Sequence, residues 1–480
     1  MTTIVWFRND LRLADNPALT AAVDRGAVLP LFILEEEEGV DDLPRRRGGA
    51  GRWWLHHSLE RLARDLGGLL LLRGDPRRLL PALAERTGAR AVYWNRRYHA
   101  AGIALDRALK ADLTARGLET RSFNAALLVE PWAMTTQSGG PYRVFTPFWR
   151  AAGRLPVSAP LSAPDGFDPA PLDGIGDRLE DWALAPTRPN WAAGWEEIWQ
   201  PGERGARNRL ETFVGDGLAD YGEDRDRPDR KNVSRLSAAL QAGNLSPRQI
   251  LDRLKRERDA RPDRGDDIEA FTRQLYWREF SHHLLFHFPD LARHNWRPAF
   301  DAYPWRVSPP DLAAWQRGAT GYPLIDAGLR ELWQTGYMHN RLRMLTASFL
   351  TKHLRLDWRL GEAWFWDTLV DADEANNAAG WQWVAGSGAD AAPYFRIFNP
   401  VSQGGKFDPD GAYVRRWCPE LTALPTRDLF APFAARAETL RDAGVRLGET
   451  YPHPLVDHAQ ARAAALAGYD AVKRASSSEG

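Results

Sequence analysis

Five short apolar runs alternate with amphipathic segments along roughly the first 130 residues. The runs are Thr3–Phe7, Ala27–Leu34, Leu69–Arg73, Ala91–Trp94 and Glu119–Phe123. Between them, segments such as RWWLHHSLERLARDL and LKADLTARG place apolar residues at helical spacing. Strands that alternate with helices predict an α/β domain with a doubly wound parallel sheet. Such sheets bind ligands at the carboxyl ends of their strands, where FRNDLR and WNRRYH lie in this chain.

The pattern changes twice further along the chain. From about Pro131 to Trp199 the sequence is rich in Pro, Gly and Asp with little periodicity, which predicts a linker that runs over the surface. Beyond about Pro201 the apolar residues keep helical spacing, and no segment has the pattern of a strand. We therefore predict an α/β domain over 1–130, an interdomain linker over 131–200 and an all-α domain over 201–475.

Composition narrows the class of protein. The 480 residues suffice for two domains or more, and 44% hydrophobic with 26% charged residues is typical of a globular protein. The formal net charge is zero, so any nucleic-acid contact must use a local basic patch. Cys418 is the only cysteine, which excludes a disulfide framework and a thiolate metal cage. The N-terminus does not have the pattern of a signal peptide and no apolar run reaches membrane-spanning length, so we expect a cytoplasmic protein without a membrane partner.

One candidate anion site lies in KNVSRLSAAL. This stretch places the hydroxyls of Ser234 and Ser237 where a helix is predicted to begin, with Arg235 between them. Free backbone N–H groups and the helix dipole favour anions there, although ordinary helix capping is the alternative. No complete GxGxxG follows the first strand and no Walker loop occurs, so the sequence disfavours a dehydrogenase or a P-loop enzyme.

A second candidate stretch, FTRQLYWREF, places Gln274, Trp277 and Arg278 within about one helical turn. An amide, an indole and a guanidinium on one face suit a base edge, a base face and a phosphate. The alternative is an interfacial Trp with solvated neighbours.

Two later stretches crowd amides, indoles and carboxylates. GYMHNRLRM supplies Asn340, Arg341 and Met344, and EANNAAGWQWVAGSGADAAPYFRIFNP supplies further amides and indoles. Asp371 and Asp373 lie two residues apart, but no His or Cys set accompanies them, so we predict no metal site. Together these stretches predict a helical domain that holds a large planar anionic cofactor beside a cavity with Arg at its rim.

Five stretches, in order and spread over nearly the whole chain, match one known family. They are FRNDLRLADNPAL, NVSRLS, QLYWREF, GYPLIDAGLRELWQTGYMHNRLRM and WQWVAGSGADAAPYFRIFNP. They resemble the photolyase/cryptochrome flavoproteins, and most closely the bacterial enzymes that split cyclobutane pyrimidine dimers in DNA. The resemblance implies a carbon–carbon lyase that uses light. Excited reduced FAD would pass an electron to a dimer flipped out of the DNA and then regain it.

The resemblance also implies which residues hold FAD, which binds in a U shape in the helical domain of this family. The implied phosphate contacts are Tyr221, Val233, Ser234, Arg235, Leu236 and Ser237. The implied contacts to the flavin and ribitol are Arg343, Asp371 and Asp373, and Asn377 would face flavin N5. Val233 is a departure, because the family often has Thr there, so one hydroxyl contact is expected to be missing.

The implied partner is UV-damaged DNA, single- or double-stranded, bound by a monomer. Trp277 and Trp383 would stack on the flipped dimer, and Gln274, Asn340 and Met344 would lie at the lesion. The remaining implied DNA contacts are Arg225, Arg278, Arg341 and Gln403.

Three residues bear on the choice of lesion. Dimer-splitting members usually carry Glu where this chain has Gln274, whereas enzymes for (6-4) photoproducts carry Gln. The (6-4) enzymes place His at both positions occupied here by Asn340 and Met344. We therefore favour cyclobutane dimers, with Gln274 and Asn340 as implied catalytic residues, and keep (6-4) repair as an alternative.

Three tryptophans match the family's path for electrons from the surface to the flavin. They are Trp305, Trp358 and Trp381. Without the resemblance, they would be interpreted as three buried indoles that pack helices together.

The resemblance leaves the antenna pigment and a second class of function open. Ala101 and Gly102 occupy positions where folate-binding members often carry Asn-Glu, which disfavours folate in that mode. A deazaflavin or FMN near FRNDLR and Arg52, or no antenna, is the expectation. The main rival function is a cryptochrome that senses blue light, although its long regulatory tail is not expected because only a short segment follows Ala467. A generic FAD electron-transfer protein is the second rival function.

Overall fold

The structure, a computed structural model, describes residues 1–167, 174, 176–391 and 395–478. Parts of the predicted linker (168–173 and 175) and of the WQWVAGSGADAAPYFRIFNP stretch (392–394) lie outside the described residues. The chain divides into two compact units. The first unit comprises Met1–Ala219, Ser234–Pro289 and Val370–Ala375, and the second unit comprises Asp220–Val233, Asp290–Leu369 and Asn376–Gly480. The domain boundaries drawn from composition stay a prediction.

A five-stranded parallel sheet begins the first unit, with strand order β3-β2-β1-β4-β5. Its strands are β1 Thr3–Phe7, β2 Val28–Leu34, β3 Leu70–Arg73, β4 Ala91–Asn95 and β5 Glu119–Phe123. The predicted α/β fold class is confirmed, and each strand lies within a residue of its predicted bounds. Because β1 pairs with both β2 and β4, the strand order reverses beside β1. FRNDLR and WNRRYH therefore follow neighbouring strands at the position where such sheets bind ligands.

Helices cover both faces of this sheet, which explains the continuous apolar runs. They are α1 Pro17–Val23, α2 Gly49–Leu66, α3 Pro76–Thr87 and α4 Ala100–Ala115. Successive side chains of a strand point to opposite faces. Accordingly, Val5 and Phe7 pack with leucines of α2, whereas Ile4 and Trp6 pack with leucines of α3 and α4.

The rest of the described chain is helical. Its α-helices are α5 Phe145–Ala152, α6 Trp195–Ile198, α7 Glu203–Thr212, α8 Tyr221–Asp224, α9 Ser237–Ala242, α10 Pro247–Ala260, α11 Gly265–His287, α12 Pro309–Gln316, α13 Pro323–Thr335, α14 Asn340–Ser348, α15 Trp358–Thr368, α16 Glu374–Ala385, α17 Pro400–Phe407, α18 Ala412–Trp417, α19 Thr426–Leu429, α20 Ala437–Asp442 and α21 His458–Ser478. Two π-helical turns, Phe213–Gly217 and Phe349–His353, extend α7 and α14. Beyond Pro201 the described residues contain no strand, as predicted. None of the described helices is long and apolar enough to cross a membrane.

The described part of the predicted linker is anchored in the core of the first unit. Trp182 and Leu184 are each only 3% exposed and join the cluster that includes Phe7 and the leucines of α2. The backbone N–H of Asp177 donates to the carbonyl of Leu71 at 2.8 Å. A segment rich in Pro and Gly thus contributes buried anchors, which composition alone did not indicate.

Candidate active site

The serine-rich segment before α9 is tied to the first of the two predicted aspartates. Ser237 is the first residue of α9, and its hydroxyl donates to a carboxylate oxygen of Asp371 at 2.5 Å, across 134 positions of sequence. The capping residue is Leu236, whose side chain makes no cap bond, so neither serine caps this helix in the ordinary way. Arg235 has a φ of 51°, a left-handed conformation that a residue with a side chain adopts at a cost. In the first unit, therefore, two predicted cofactor contacts lie together at a strained turn.

The second aspartate lies near a partly buried histidine of α11. Burial lowers the pKa of His282 to about 4, and the nearby Asp373 only partly offsets this effect. His282 is therefore neutral at physiological pH. Its Nδ1 lies 3.0 Å from the carbonyl oxygen of Arg278, one turn earlier on the helix.

Trp277 of α11 is stacked on a residue that the sequence patterns did not single out. The indole lies parallel to the ring of Phe145, with 3.6 Å between ring centroids and 7° between planes. Phe145 belongs to α5 and is 1% exposed, whereas Trp277 is half-buried. One face of the indole is therefore covered and held rigid, so any ligand must stack on the opposite face.

The polar neighbours of Trp277 are engaged within the first unit. The amide of Gln274 donates to the carbonyl of Ala270 at 3.2 Å, within its own helix. The guanidinium of Arg278 is 14% exposed, donates to the carbonyl of Ala126 at 2.9 Å and pairs with Glu279 at 3.2 Å. Arg278 thus has a structural role, and its DNA contact stays a prediction.

Glu279 is a buried carboxylate that links α11 to the segment after β5. It accepts from the backbone N–H groups of Leu128 and Val129 at 2.8 and 3.2 Å. Burial raises its pKa to about 7, although Arg278 and the two backbone donors act in the opposite direction. Sequence reasoning missed Glu279, because a Glu beside an Arg on a helix is typical of an exposed surface.

In the second unit, α14 presents Asn340 and Met344 one turn apart. The Asn340 amide lies 3.9 Å from the Met344 sulfur, so the two residues predicted to lie at the lesion share one face. The helix is capped by His339, whose Nδ1 accepts from the backbone N–H of Arg341 at 3.1 Å. Glu331, 3% exposed, accepts in turn from the backbone N–H of His339 at 3.3 Å. A buried carboxylate thus fixes the start of the helix that presents both side chains.

Arg341 of α14 contacts two other segments of the second unit that carry predicted DNA contacts. Arg341 forms an ion pair with Asp226, the residue after Arg225. Its guanidinium also lies 4.3 Å from the ring centroid of Phe407, in the helix that carries Gln403. Segments more than 100 residues apart along the chain are thereby joined.

Two predicted cofactor contacts of the second unit, Tyr221 and Arg343, lie near a second tyrosine, Tyr337. Tyr221 is 7% exposed, and burial raises the pKa of its hydroxyl. Arg343 donates to the carbonyl of Met338 at 2.7 Å, and its guanidinium lies 5.3 Å from the ring centroid of Tyr337. Tyr337 also influences the pKa of Tyr221, which places it near both predicted contacts. Val233 is half-buried, and its predicted role stays a prediction.

The orientation of Asn377 is set by Glu362. The amide nitrogen of Asn377 donates to a carboxylate oxygen of Glu362 at 2.8 Å and to the Glu362 carbonyl at 3.0 Å. Because the nitrogen is occupied, the carbonyl oxygen of Asn377 is the atom that can accept from a ligand. Glu362 is 4% exposed and was not predicted. Its one sequence signal, a Glu among the aromatics of α15, is weak.

The three predicted relay tryptophans differ in exposure. Trp305 is half-buried, whereas Trp358 and Trp381 are 0% and 2% exposed. The indole N–H of Trp358 donates to Asn295 at 2.9 Å. The Trp381 ring packs on Gly361, one turn after Trp358 in α15, so closely that a side chain there would lie 2.0 Å from it. The structure thus brings Trp381 to the helix that begins with Trp358.

Trp383 is half-buried, and its indole N–H donates to the carbonyl of Asp390 at 3.1 Å. The neighbouring Gln382, in contrast, is fully buried and donates to the carbonyls of Leu291 and His294. Gln382 is therefore a structural residue, although its stretch crowds amides that suit a ligand.

The polar ends of the strands form a closed network. Arg8 pairs with Asp106 at 2.5 Å, and Arg97 pairs with Glu35 and Asp106. Burial acts to raise the pKa of Asp106, but the two arginines outweigh it and lower that pKa. Arg52, predicted to lie near an antenna pigment, pairs with Glu36.

Comparisons with known proteins agree along both parts of the chain. The family described as DNA photolyase matches residues 3–165, and the family described as FAD binding domain of DNA photolyase matches residues 271–471. The deoxyribodipyrimidine photo-lyase of Agrobacterium fabrum is 51% identical over 477 residues, 98% of each chain. Cryptochrome-1 of Arabidopsis thaliana is 38% identical, over 96% of this chain and 69% of that protein. The crystal structure of a bacterial class III photolyase from Agrobacterium tumefaciens aligns with a TM-score of 0.94 at 50% identity, over 98% of each chain.

These matches define the class as chains that join a photolyase-type α/β part to an FAD-binding helical part. The chain belongs to the DNA photolyase family.

Proposed function

We propose that this protein repairs cyclobutane pyrimidine dimers in UV-damaged DNA by light-driven electron transfer from FAD. The observation that carries the proposal is its 51% identity, over 98% of both chains, to a deoxyribodipyrimidine photo-lyase. The cryptochrome relative is more distant, and this chain spans only 69% of it.

The described residues fit an FAD group. Bound and reduced, FAD supplies on illumination an electron that splits the cyclobutane bonds and is then regained, without net redox change. Ser237 and Asp371, joined at 2.5 Å, are proposed contacts in the first unit, with Ser234, Arg235, Leu236 and Asp373 beside them. Tyr221, Val233, Arg343 and Asn377 are proposed contacts in the second unit.

Asn377 acts in this proposal through its carbonyl oxygen. Since Glu362 occupies its amide nitrogen, the side chain would accept a hydrogen bond from a protonated flavin N5. Glu362 is the positioning residue, because it fixes which end of the amide faces the cofactor.

The proposed lesion contacts combine stacking with hydrogen bonding. Flipping a dimer out of the duplex costs a few kcal/mol, and stacking on an indole returns about 1–3 kcal/mol per base. Phe145 supports Trp277 from behind, which reduces the entropy lost when a base stacks on its other face. Trp383 is the second proposed stacking residue, and the Gln274 amide suits a pyrimidine edge.

Asn340 and Met344 favour the cyclobutane dimer over the (6-4) photoproduct. They lie on one face of α14, 3.9 Å apart, and neither side chain can exchange a proton as a histidine does. Arg341 and, from the segments that it contacts, Arg225 and Gln403 are proposed contacts to DNA, with Arg278 as a further one.

Gly102, near the start of α4, bears on whether the chain binds folate as an antenna pigment. A side chain at this position would lie 2.8 Å from the ring of His99, so the glutamate of the folate-binding variant does not fit there without rearrangement. Since the arginines around FRNDLR and Arg52 have carboxylate partners, a deazaflavin or FMN near them would have to displace an ion pair. We therefore propose that the chain does not bind folate through an Asn-Glu pair. That the antenna is a deazaflavin or FMN, or is absent, stays a prediction. The cytoplasmic location, the monomeric state and the use of single- or double-stranded DNA also stay predictions.

One experiment separates the candidate functions. UV-irradiated plasmid is incubated with the purified protein in light and in darkness, and cyclobutane and (6-4) lesions are counted with lesion-specific antibodies. Loss of cyclobutane dimers only in light supports the proposal. Loss of (6-4) lesions favours the alternative substrate, tight binding without repair favours a cryptochrome, and neither favours a generic electron carrier.

A further inference from the structure

A small cavity in the second unit is lined by aromatic rings and cations. Its cations are Arg297, Lys352 and Arg396, and its aromatic residues are Phe300, Trp383, Phe395, Phe398 and Tyr469. No carboxylate is found among the described residues that line it. Because uncompensated positive charge near apolar walls attracts an anion more strongly than water does, the lining favours an anion.

Lys352 is the buried member of this set. Its side chain is 3% exposed, and its ammonium donates to the carbonyl oxygen of Arg396. The same nitrogen lies 4.3 Å from the ring centroid of Phe395. An ammonium has three donors, so one carbonyl and one ring face leave it incompletely satisfied in the described structure.

The backbone at Lys352 is also unusual. The residue lies in the π-helical turn Phe349–His353, which follows α14 directly. Such turns are rare and occur frequently at functional sites, because the inserted residue redirects a side chain. In this chain the turn places a lysine among aromatic residues without a carboxylate partner.

The size of the cavity limits the ligand. The space suffices for about one water-sized group, so a nucleotide or a flavin does not fit. Arg297 and Arg396 are exposed, so an anion can enter from solvent between them.

We propose that this cavity is a binding site for a small inorganic anion, chloride, held by Lys352 between Arg297 and Arg396. The anion supplies the acceptor that the lysine lacks and offsets the charge of three cations. Trp383, a proposed stacking residue for the lesion, also lines this cavity. The test measures chloride binding directly and without DNA, so its result does not depend on the photolyase activity.

Lys352 makes this binding depend on pH. Burial, and then the charge of Arg396, lower the pKa of Lys352 to about 7. The lysine is therefore charged below pH 7 and increasingly neutral above it, so chloride binding weakens as pH rises; by linkage, bound chloride raises the pKa of Lys352. His353 adds no charge near neutral pH, because burial lowers its pKa to about 3, and the arginines remain charged throughout.

The test is chloride-35 NMR line broadening with the purified full-length protein at constant ionic strength, with gluconate as the replacement anion. We expect saturable broadening at pH 6, affinity at least about tenfold lower at pH 8.5, and loss of broadening in Lys352→Met. Lys473→Met is the matched control, because Lys473 lies 5.1 Å from the ring centroid of Tyr469 but is exposed and paired with Asp470. Unchanged broadening is expected for it.

Absence of saturable broadening in the wild-type protein, or its retention in Lys352→Met, overturns the proposal. If Lys352→Met does not fold, the double variant Arg297→Gln/Arg396→Gln replaces two exposed side chains and provides the same test. Affinity unchanged in that variant also overturns the proposal.

Discussion

The strand ends of the first unit and helix α14 of the second unit use similar side chains in different ways. At the strand ends, Arg8 and Arg97 are 4% and 7% exposed, and their carboxylate partners Asp106 and Glu35 are 14% and 12% exposed. At α14, Arg341 is 14% exposed and its partner Asp226 is 31% exposed, while Asn340 is exposed. Residue type alone therefore does not distinguish structural from functional polar groups. The difference lies in whether a polar side chain already has its hydrogen bonds and ion pairs within the protein.

In the second unit, two buried carboxylates orient residues of the candidate site. Glu331 orients the capping residue of α14, and Glu362 orients Asn377. Each of these two carboxylates accepts a hydrogen bond from the residue that it orients. The side chains of Asn340 and Met344 and the carbonyl oxygen of Asn377 remain able to contact a ligand. In the first unit, by contrast, the carboxylates pair directly with the arginines, so the charge of these arginines is already compensated within the protein.

The largest effect on stability is expected from Arg8→Met. Removing one partner of a buried ion pair leaves Asp106 with less compensation, so we expect a loss of about 3–5 kcal/mol in the free energy of unfolding. Urea denaturation measures it. The double variant Arg8→Met/Asp106→Leu should recover most of the loss. A single variant as stable as the wild type would show that this network is not structural.

A loss of about 1–3 kcal/mol is expected from Gly361→Ala, because the new methyl group would overlap the Trp381 ring and force it to move. Photoreduction of the flavin should slow as well. Gly380→Ala in α16 is the control, since no atom lies within 4 Å of a side chain there. Thermal unfolding and flavin photoreduction are measured for both. Equal behaviour of the two variants contradicts the packing described for Trp381.

Trp277→Ala should weaken binding of dimer-containing DNA by about 1–3 kcal/mol, or about ten- to a hundredfold, with FAD content unchanged. Trp333→Ala is the control, because Trp333 is also stacked on an indole and is 55% exposed, but it lies outside the proposed site. Fluorescence anisotropy measures the binding. Loss of FAD in Trp277→Ala would place this residue in the cofactor pocket.

Arg341→Gln should cost little stability, because its partner Asp226 is partly exposed, while DNA binding weakens several-fold. The slope of log K against log salt should become shallower by about one, as expected when one phosphate contact is lost. Salt titrations of the binding constant test this. An unchanged slope combined with a large loss of stability would show that Arg341 has a structural role, like Arg8, and does not contact a phosphate.

The smallest effect on repair is expected from Trp381→Phe. Photoreduction of oxidised flavin should slow markedly, because phenylalanine is much harder to oxidise than tryptophan. Repair by enzyme reduced beforehand should be nearly unchanged, because the proposed relay acts only before repair. Flash photolysis and a repair assay are compared on the same sample, and equal losses in both would contradict the relay.

Much of the fold could be predicted from sequence, because its signals are local. The runs Thr3–Phe7 and Glu119–Phe123 are strands with the predicted bounds. The anchors Trp182 and Leu184 could not be predicted, since their partners lie in other elements. In the same way, Phe145 meets Trp277 only in the folded chain.

For the candidate site, local motifs identified side chains but not what holds them. Arg341 meets Asp226 across 115 positions, and Ser237 meets Asp371 across 134. The spacing of hydrophobic and polar residues along the chain does not indicate such long-range pairs. Glu362 was missed although it lies only 15 positions from Asn377, because a single Glu carries no sign that it is buried.

The most direct test of the central claim uses an oligonucleotide with a single cyclobutane thymine dimer. The protein with reduced FAD is mixed with it, and absorbance at the thymine band is followed under blue light and in darkness. We predict recovery of thymine absorbance in light alone, with several dimers repaired per protein molecule. An unchanged absorbance under illumination, with FAD bound and the oligonucleotide bound, would contradict the assignment of dimer repair to this chain.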